Sequence, residues 1–327
     1  MATHISELTA PLGNRYLDGY LKQQLGTTRK KFNRGLHARQ AGIIKVESFF
    51  DERCHTYKFG YHVYKKRKPS GGTRTIHIPH PDLAELQTEI LYYLLQFPAA
   101  DCAHGFVRGR SYLSVMQVVA KNRAAHPYIF FFDVRHAFPS INKKEIGIAL
   151  KSLGLDAPIA NRITFLCTTK DGFLPQGAPT SPHLLNLVYR TMDEELLRFC
   201  ESHSIIYLRY VDNLIFMCPS PIKKNTLYSK VPIDIVRSYG RKIHPPVFCD
   251  NPSLDVRLLG LNLVGDEVHL KPETKDRFRQ ILFLAAHDSS YYEQARGVIA
   301  NLCMIYGELP PRFTKQLEQH PLLKPTR

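Results

Sequence analysis

Residues 207–216 read YLRYVDNLIF, in which aromatic and aliphatic residues lead up to Asp212 and Asn213 and then resume. Aspartate and asparagine tolerate the positive φ of a tight turn, so the pattern predicts two antiparallel strands that meet in a hairpin at the Asp-Asn pair. A hairpin that presents a carboxylate between apolar strands is a platform for a metal ion. Many Asp-Asn pairs are ordinary turns, however, and this stretch alone leaves both alternatives open.

Two further stretches extend the signal. Residues 130–141 read FFFDVRHAFPSI, an apolar strand that ends at Asp133, with Phe138 five positions later. Residues 174–182 read LPQGAPTSP, a loop rich in proline and glycine that opens a helix. Asp133 and Asp212 are far apart in the sequence, so only the pairing of their strands could bring the two carboxylates together.

In this order, the three stretches resemble the palm of a reverse transcriptase. They match a D-x-x-x-A-F element at Asp133, a QGxPxSP loop from Gln176, and a Y-x-D-D box that reads Tyr-Val-Asp-Asn from Tyr210. The similarity spans about residues 56–265 and is nearest to bacterial reverse transcriptases of the retron and phage-defence type. It implies an α+β right-hand polymerase with an antiparallel palm sheet, a helical N-terminal extension and a helical thumb.

The resemblance predicts four parts of the chain. They are a basic N-terminal extension at 1–55, fingers at 56–125, a palm at 126–268 with a fingers insertion at about 142–182, and a helical thumb at 269–327. The sequence pattern itself predicts a hairpin over 58–80. It also predicts helices from Leu83 and from Ser111 and one short strand over 258–263.

The resemblance places the chemistry at the two aspartates. Asp133, Asp212 and the backbone carbonyl of Val134 are expected to hold two Mg²⁺ ions, since two such ions activate the attacking oxygen and neutralise the leaving oxygen in nucleotidyl transfer. Mg²⁺ prefers oxygen ligands, few of them from protein. Asn213 replaces the second aspartate of the box, which removes one negative charge beside the metals, while its neutral amide can still donate or coordinate.

The family also suggests which residues bind the incoming nucleotide. Phe138 is expected to lie under its sugar and to exclude a 2′-hydroxyl, unless Phe138 is simply part of the core. The other expected contacts lie in the fingers hairpin, the second fingers motif and the proline-rich loop: Arg74, Lys65, Arg108, Arg110, Gln176 and Gly177. A forked guanidinium suits phosphate oxygens, so Arg74 is favoured over Lys65, although both can be ordinary surface residues.

Composition restricts the class of protein. The chain has 327 residues, 44% of them hydrophobic, and a formal net charge of +15, which fits a globular protein with a polyanionic partner such as nucleic acid. Its seven cysteines form no C-x-x-C pair, so we expect reduced thiols and a cytoplasmic location. No stretch approaches the ~20 apolar residues of a membrane span, and no membrane partner is expected.

Basic residues cluster in two regions that the family uses to bind nucleic acid. The stretch from Leu21 to Val46 contains no acidic residue. Contacts with the phosphate backbone supply much of the affinity for nucleic acid, and a solvated basic face is the alternative. The residues expected to make these contacts are Arg29, Lys30 and Lys31 in the extension and Lys271 and Lys275 in the thumb.

Three departures separate the chain from a typical retron enzyme. Of the retron N-A-x-x-H element, Asn122 and His126 match but the alanine does not, and the V-T-G expected near Gly260 is absent. The lysine that the family often carries after the Gly-x-x-Ile element is also missing near Val247. A general acid for pyrophosphate is therefore not evident. Lys242 or His244 could substitute only if the geometry allows.

The resemblance implies that the protein carries out reverse transcription, on a dedicated noncoding RNA and in anti-phage defence. The expected partners are that RNA, the DNA product and deoxynucleoside triphosphates, with a second defence protein or a homo-oligomer left open. Three alternatives remain: template-independent or protein-templated synthesis, a weakened palm that serves as an RNA-binding scaffold, and RNA synthesis. Phe138 opposes the last, while Asn213 and the missing lysine favour the scaffold.

Overall fold

The structure is a computed structural model that describes residues 43–44, 57–58, 60–67, 71–222, 226–265, 267–308 and 310. The expected nucleic-acid contacts Arg29, Lys30 and Lys31, and nearly all of the expected extension at 1–55, lie outside these residues. In the described part, no helix is both long and apolar enough to cross a membrane.

The described chain alternates between short strands and helices. The strands are β1 (Ile43–Ile44), β2 (Tyr57–Lys58), β3 (Tyr61–Arg67), β4 (Thr73–Pro79), β5 (Tyr128–Asp133), β6 (Ile206–Tyr210), β7 (Asn213–Cys218), β8 (Val247–Cys249), β9 (Val256–Leu258), β10 (Leu261–Val264) and β11 (Glu267–Leu270). The helices are α1 (Pro81–Leu94), α2 (Tyr112–Asn122), α3 (Lys143–Ser152), α4 (Ala157–Cys167), α5 (Ser181–Ser202), α6 (Leu227–Ser238), α7 (Pro272–His287) and α8 (Tyr292–Tyr306), with a 3₁₀ turn at Ser289–Tyr291.

Several helices begin where the sequence supplies a cap. The helix predicted from Ser111 is α2, and it starts with a capping box. The Ser111 hydroxyl accepts a hydrogen bond from the Ser114 amide, and the Ser114 hydroxyl accepts one from the Ser111 amide. Asn142 and Glu145 form the same reciprocal arrangement at the start of α3. These caps satisfy amides that the first helical turn leaves without partners.

The central sheet has the strand order β6-β7-β5-β8, and all its neighbours are antiparallel. Stacked aromatic rings fix its inner face, with ring centroids 4.6 Å apart for Phe130 and Phe216 and 4.9 Å apart for Tyr207 and Phe216. Such cross-strand ring pairs stabilise one register, because a slip by one residue would turn every ring to the other face.

Helices cover both faces of this sheet. One face packs on α1, α3, α4 and α5, and the other packs on α2, the three-stranded sheet β9-β10-β11, α7 and α8. The mixture of helices with antiparallel sheets confirms the predicted α+β class. The residues at the ends of β5 and β6 therefore lie between two layers of different composition.

The predicted single strand over 258–263 is wrong in one respect. The structure divides this stretch into β9 and β10, which pair with each other around Leu259 and Gly260. Both of these residues have positive φ, 50° for Leu259 and 83° for Gly260. Positive φ at two successive positions makes the compact hairpin turn that favours glycine at its second position. The apolar run concealed this turn, because leucine is not a turn residue.

Candidate active site

The turn that carries Asp212 differs from the one that the sequence predicts. Because β6 ends at Tyr210 and β7 begins at Asn213, the two turn residues are Val211 and Asp212, and Asn213 already pairs with Tyr210. The positive φ, 59°, falls on Val211. The expectation that the Asp-Asn pair forms the turn is therefore wrong by one residue, and the carboxylate stands at the second turn position.

Strand pairing brings Asp133 next to this turn. In the ladder between β5 and β7, Asp133 lies opposite Asn213, and the Val134 amide donates to the Asp212 carbonyl at 2.8 Å. The carboxyl groups of Asp133 and Asp212 come within hydrogen-bonding reach of each other. Two aspartates from distant parts of the sequence thus share one location at the end of the sheet.

The surroundings of Asp212 raise its pKa. Loss of hydration on burial is the main cause, and it is opposed by hydrogen bonds to the carboxylate and by the positive charge of Arg74. Asn213 contributes one of these hydrogen bonds, from Nδ2 to Asp212 Oδ1 at 3.3 Å. Burial disfavours the charged form of a carboxylate unless a cation compensates it, so this pair of acids suits a cation.

The donor set fits Mg²⁺ better than a transition metal. Among the hydrogen bonds found between described residues, none ends on the Val134 carbonyl oxygen, which leaves it available beside the two carboxylates. The described residues contain no group of three or more histidine, cysteine, aspartate or glutamate side chains that could hold a metal. Two carboxylates and one carbonyl, all oxygen, match a site where water and phosphate complete the coordination.

A buried arginine holds the turn in its unusual conformation. Arg209 is fully buried in β6, and its Nη1 donates to the Val211 carbonyl at 2.9 Å and to Asn186 Oδ1 at 3.0 Å. A β-branched residue at positive φ costs on the order of 1–3 kcal/mol and persists only where its surroundings impose it. The hydrogen bond from Arg209 to Val211 is one such constraint, one residue before Asp212.

Arg209 is in turn held by Asp193 of α5. Arg209 Nη2 lies 2.7 Å from Asp193 Oδ2, Arg209 Nε also donates to the same carboxylate, and both side chains are fully buried. The Tyr207 hydroxyl donates to Asp193 Oδ1 at 2.9 Å, and burial raises the pKa of Tyr207. We call Arg209, Asp193, Asn186 and Tyr207 the Arg209 network. It fixes the Asp212 hairpin to the long helix α5.

Sequence reasoning missed this network. An arginine between Leu208 and Tyr210 in an apolar strand indicates a buried charge. Alternate residues of a strand share a face, so Arg209 lies on the same buried face as Tyr207. Asp193 forms a buried ion pair with Arg209. A charge that is fully buried needs such a partner.

The fingers hairpin, made of β3 and β4, brings Arg74 close enough to Asp212 to affect its pKa. Arg74 of β4 lies directly across the ladder from Lys66 of β3, and Lys65 lies across from Thr75. Successive residues of a strand point to opposite faces, so Lys66 shares the face of Arg74 and Lys65 does not. The charge of Arg74 is felt at Asp212, where it opposes the rise of the pKa. Lys66, which the sequence pattern did not single out, is therefore the better placed lysine.

The proline-rich loop binds the fingers hairpin. The His77 amide donates to the Gln176 carbonyl at 2.8 Å. Gly177 has a φ of 121°, and a Cβ there would lie 3.0 Å from the His77 carbonyl oxygen and 3.1 Å from Ile76 Cγ2. Glycine is thus required because β4 approaches closely, a structural reason beside the expected closeness to nucleotide and template.

Comparison with known proteins now decides the family. A model of the family described as reverse transcriptase (RNA-dependent DNA polymerase) matches residues 65–246, more than half of the chain. The chain belongs to the reverse transcriptase family. The matched region contains both aspartates, the proline-rich loop and Arg74.

Curated relatives of this reverse transcriptase are bacterial. The retron Ec86 reverse transcriptase of Escherichia coli is 29% identical over 251 residues, which cover 74% of this chain and 76% of that protein. The retron Mx65 reverse transcriptase of Myxococcus xanthus is 31% identical over 174 residues, which cover 48% of this chain and 40% of that protein. Among solved structures, a telomerase from Candida albicans has a TM-score of 0.49 at 11% identity, covering 79% of this chain and 56% of that chain.

The stretch expected to be the second fingers motif, residues 103–111, supports the turn that carries Asp212. Arg110 Nη1 donates to the carbonyls of Asp101 at 2.5 Å and Ala103 at 2.8 Å, so its guanidinium holds the loop that precedes α2. The same loop pairs with β6, because the His104 amide donates to the Arg209 carbonyl at 2.7 Å. Arg108 is exposed. The expected contact of both arginines with the nucleotide stays a prediction.

Gly105 lies directly against Val211 and leaves room for it because it has no side chain. A Cβ on Gly105 would lie 2.5 Å from both the Val211 amide nitrogen and Val211 Cγ2, distances that real side chains essentially never show. Asn186 of the Arg209 network also binds this position, through its Nδ2 and the Gly105 carbonyl at 3.0 Å. The loop and the Asp212 turn therefore fit together only with glycine at this position.

We expect Gly105→Ala to lower nucleotide incorporation by about a hundredfold, because a displacement of about 1 Å at a positioned reacting group can have an effect of that size. The measurement is single-turnover incorporation of a deoxynucleotide with saturating Mg²⁺. Gly297→Ala is the matched control, since Gly297 is an exposed helical glycine of α8 and a Cβ there would meet no atom within 4 Å. Equal activity of Gly105→Ala and wild type would show that the turn can move without consequence.

The segment after α6 reaches Asp133, while Phe138 packs on the core. Phe138 is half-buried and packs against the larger core, so it is both a core residue and partly accessible. The His244 amide donates to the Asp133 carbonyl at 2.8 Å, which places His244 across from Asp133 on a neighbouring segment. The His244 side chain is exposed, whereas Lys242 lies across from Arg135. Of the two substitutes for the missing lysine, His244 is the nearer in register.

The two lysines of the expected thumb lie at the start of α7. Lys271 is the residue before the first turn of α7, and Lys275 lies one turn further along. Their expected role, binding nucleic acid away from the chemistry, remains a prediction.

Proposed function

We propose that this reverse transcriptase joins deoxynucleotides by two-metal nucleotidyl transfer at Asp133 and Asp212. The observation that carries the proposal is the meeting of these two carboxyl groups, one at the end of β5 and one in the turn between β6 and β7, within the electrostatic reach of Arg74. Family membership supports RNA as the template. A dedicated noncoding RNA and a role in phage defence are parts of the proposal that rest on the resemblance of the sequence motifs, and a cytoplasmic location rests on the unpaired pattern of the cysteines.

The proposed roles follow from the placement of each group. Asp133, Asp212 and the Val134 carbonyl would hold two Mg²⁺ ions, which when bound lower the barrier by stabilising the charge on the attacking and leaving oxygens. Arg74 and Lys66, on one face of the fingers hairpin, would bind the triphosphate. Their opposite charge to the phosphates orients the nucleotide before reaction.

Asn213 is compatible with a site in which Asp133 and Asp212 are the metal-binding acids. Its amide donates to Asp212 and so favours the ionised carboxylate that a cation requires. A second aspartate at this position would add a like charge beside a carboxylate whose pKa is already raised. The asparagine is thus compatible with catalysis, and it favours the scaffold alternative only if wild-type protein proves inactive.

The four-part division of the chain is also part of the proposal. The fingers at 56–125, the insertion at about 142–182 and the thumb at 269–327 would surround the palm at 126–268. In support, β3 and β4 reach the site from one side, while α7 and α8 pack on the opposite face of the sheet from α5. Nucleic acid would lie on the face that carries Asp133.

The proposal predicts a preference for deoxynucleotides that depends on Phe138. In Phe138→Ala, incorporation of ribonucleotides relative to deoxynucleotides should rise by roughly 10- to 200-fold, the range that one steric contact contributes to discrimination. Competition between dCTP and CTP in primer extension measures the ratio. If the ratio stays the same while the variant remains active, Phe138 is a core residue only.

A pH-dependent stability difference should arise from Asp212. Because burial raises the pKa of Asp212, the folded metal-free protein holds this proton to higher pH than the unfolded chain, and stability is lost as pH rises through the raised pKa. Asp212→Asn should therefore have a higher Tm than wild type at pH 7 without metal. The difference should shrink as pH falls through the raised pKa. A difference independent of pH would contradict the linkage.

The direct test uses purified protein with any co-purifying nucleic acid. Each dNTP or rNTP is added with Mg²⁺, and the product is sequenced. DNA whose sequence is complementary to the bound RNA is expected, and its formation should be sensitive to ribonuclease treatment before the reaction. Product without an RNA template would favour template-independent synthesis. No product from wild type, with RNA still bound, would favour the scaffold.

A further inference from the structure

A groove lies between α3 and α4, in the segment between β5 and the proline-rich loop. Its volume is about 640 Å³. Gly147 of α3 and Thr164 of α4 form the floor, where a Cβ on Gly147 would lie 3.8 Å from Thr164 Oγ1. The Thr164 hydroxyl is buried and has no hydrogen-bond partner among the described residues, which leaves a donor and an acceptor at the floor.

The rim of this groove is basic. The lysines that line it come from the start and end of α3 and from the loop after α4: Lys143, Lys144, Lys151 and Lys170. Among the described residues, no carboxylate belongs to the lining. The nearest acid on α3, Glu145, is engaged elsewhere, since it pairs with Arg241 and accepts from the Asn142 amide at 2.9 Å. The groove therefore favours an anionic ligand with several charges.

Two large apolar side chains stand on the walls of the groove, beside the polar side chains of Asn161, Thr168 and Thr169. Ile148 of α3 is 59% exposed, and Phe165 of α4 is 42% exposed. An exposed aliphatic side chain and an exposed aromatic ring thus lie together inside a ring of lysines. An aromatic ring among positive charges is the combination with which proteins bind single-stranded nucleic acid, because bases stack on the ring while phosphates contact the cations.

We propose that this groove binds a single-stranded segment of RNA. The lysines would contact successive phosphates, and Phe165 would stack on a base. Paired bases are stacked on one another and cannot cover Phe165, so a single strand fits better than a duplex. The proposal rests on the proposed function in one respect, that RNA is a partner of the protein. The site itself is separate from the two aspartates.

The absence of tryptophan from the sequence permits a specific test. Phe165→Trp places a single reporter on the groove wall, and Tyr92→Trp places one on α1, where Tyr92 is 67% exposed. An RNA of roughly twelve nucleotides, within the usual site sizes, should quench the emission of the Phe165→Trp variant and leave that of the Tyr92→Trp control unchanged. A hairpin duplex of the same length should quench less.

The lysines are tested in the Phe165→Trp background. Lys144→Gln with Lys151→Gln should weaken the RNA affinity and reduce the slope of log Kd against log salt by about 1.4, since each phosphate contact with a single strand contributes about 0.7. Lys121→Gln with Lys230→Gln, both exposed and outside the groove, is the matched control and should change neither. Thermal unfolding confirms that each variant is folded.

Three results would overturn the groove proposal. They are equal quenching by duplex and single strand, quenching by polyglutamate but not by RNA, and an unchanged affinity after loss of both lysines. Primer extension on a short preformed hybrid separates the groove proposal from the proposed function. Normal DNA synthesis without RNA binding in the groove defeats the groove alone. RNA binding in the groove of the Phe165→Trp variant, together with no DNA synthesis by wild type, defeats only the proposed function.

Discussion

Asp133→Asn and Asp212→Asn are each expected to reduce nucleotide incorporation by about a thousandfold, the upper range for loss of one preorganised charge-stabilising group. The amide keeps the shape of the carboxylate but removes the charge that compensates a divalent cation. Single-turnover primer extension with Mg²⁺ measures the loss. Each variant should be as inactive as the double variant, because the two carboxyl groups act as one site and their effects are not additive.

Asp250→Asn provides the control, since Asp250 is exposed and follows β8. It should leave incorporation unchanged. The inactive variants should still fold, and Asp212→Asn should be stabilised when metal is absent. Retention of activity by either Asp133→Asn or Asp212→Asn would defeat the assigned chemistry.

Asp193→Ala is expected to destabilise the protein by about 3–5 kcal/mol, the cost of leaving one partner of a buried ion pair without compensation. Arg209 would remain fully buried without its carboxylate. The measurement is denaturant unfolding, in which the midpoint should fall. A small loss of stability would mean that water or another group replaces Asp193.

The double variant Asp193→Leu with Arg209→Met separates stability from positioning. Replacement of a buried ion pair by apolar residues of similar size is often neutral, so the double variant should regain most of the stability that Asp193→Ala loses. The Val211 carbonyl would still lack its donor. We therefore expect activity to stay about a hundredfold below wild type. Recovery of both stability and activity would limit the Arg209 network to a structural role.

The sequence indicated the two aspartates because each ends an apolar strand or occupies a turn between two. Their meeting depends on the register in which Asp133 lies opposite Asn213, and long-range pairing is not encoded in any local pattern. The family resemblance supplied that step. The mixed α+β class follows from the same alternation of strands and helices.

The conformation of Val211 could not be predicted from the sequence. Local preference assigns positive φ to asparagine, aspartate or glycine, so Asp212-Asn213 was the natural turn. The observed turn is imposed by Arg209 and by the close approach of Gly105, both of which act through tertiary contacts. Strain of this kind, beside a group that carries chemistry, is typical of functional sites.

The sequence also could not show on which face of the fingers hairpin each basic residue lies. Lys65 and Lys66 are neighbours in sequence, and the face that each one occupies depends on the length of the loop between β3 and β4. The pairing of Lys66 with Arg74 decides that Lys66 belongs to the face of Arg74. A shift of one residue in the ladder would have selected Lys65.

The most direct test of the central claim is a titration with Mn²⁺, a paramagnetic substitute for Mg²⁺, followed by electron paramagnetic resonance in the presence of a deoxynucleoside triphosphate. Wild type and Asp250→Asn should remove Mn²⁺ from the free signal at a tight site. Asp133→Asn and Asp212→Asn should each lose that site. If either variant retains it, the two carboxylates do not share a cation, and catalysis by metal ions held between Asp133 and Asp212 is contradicted.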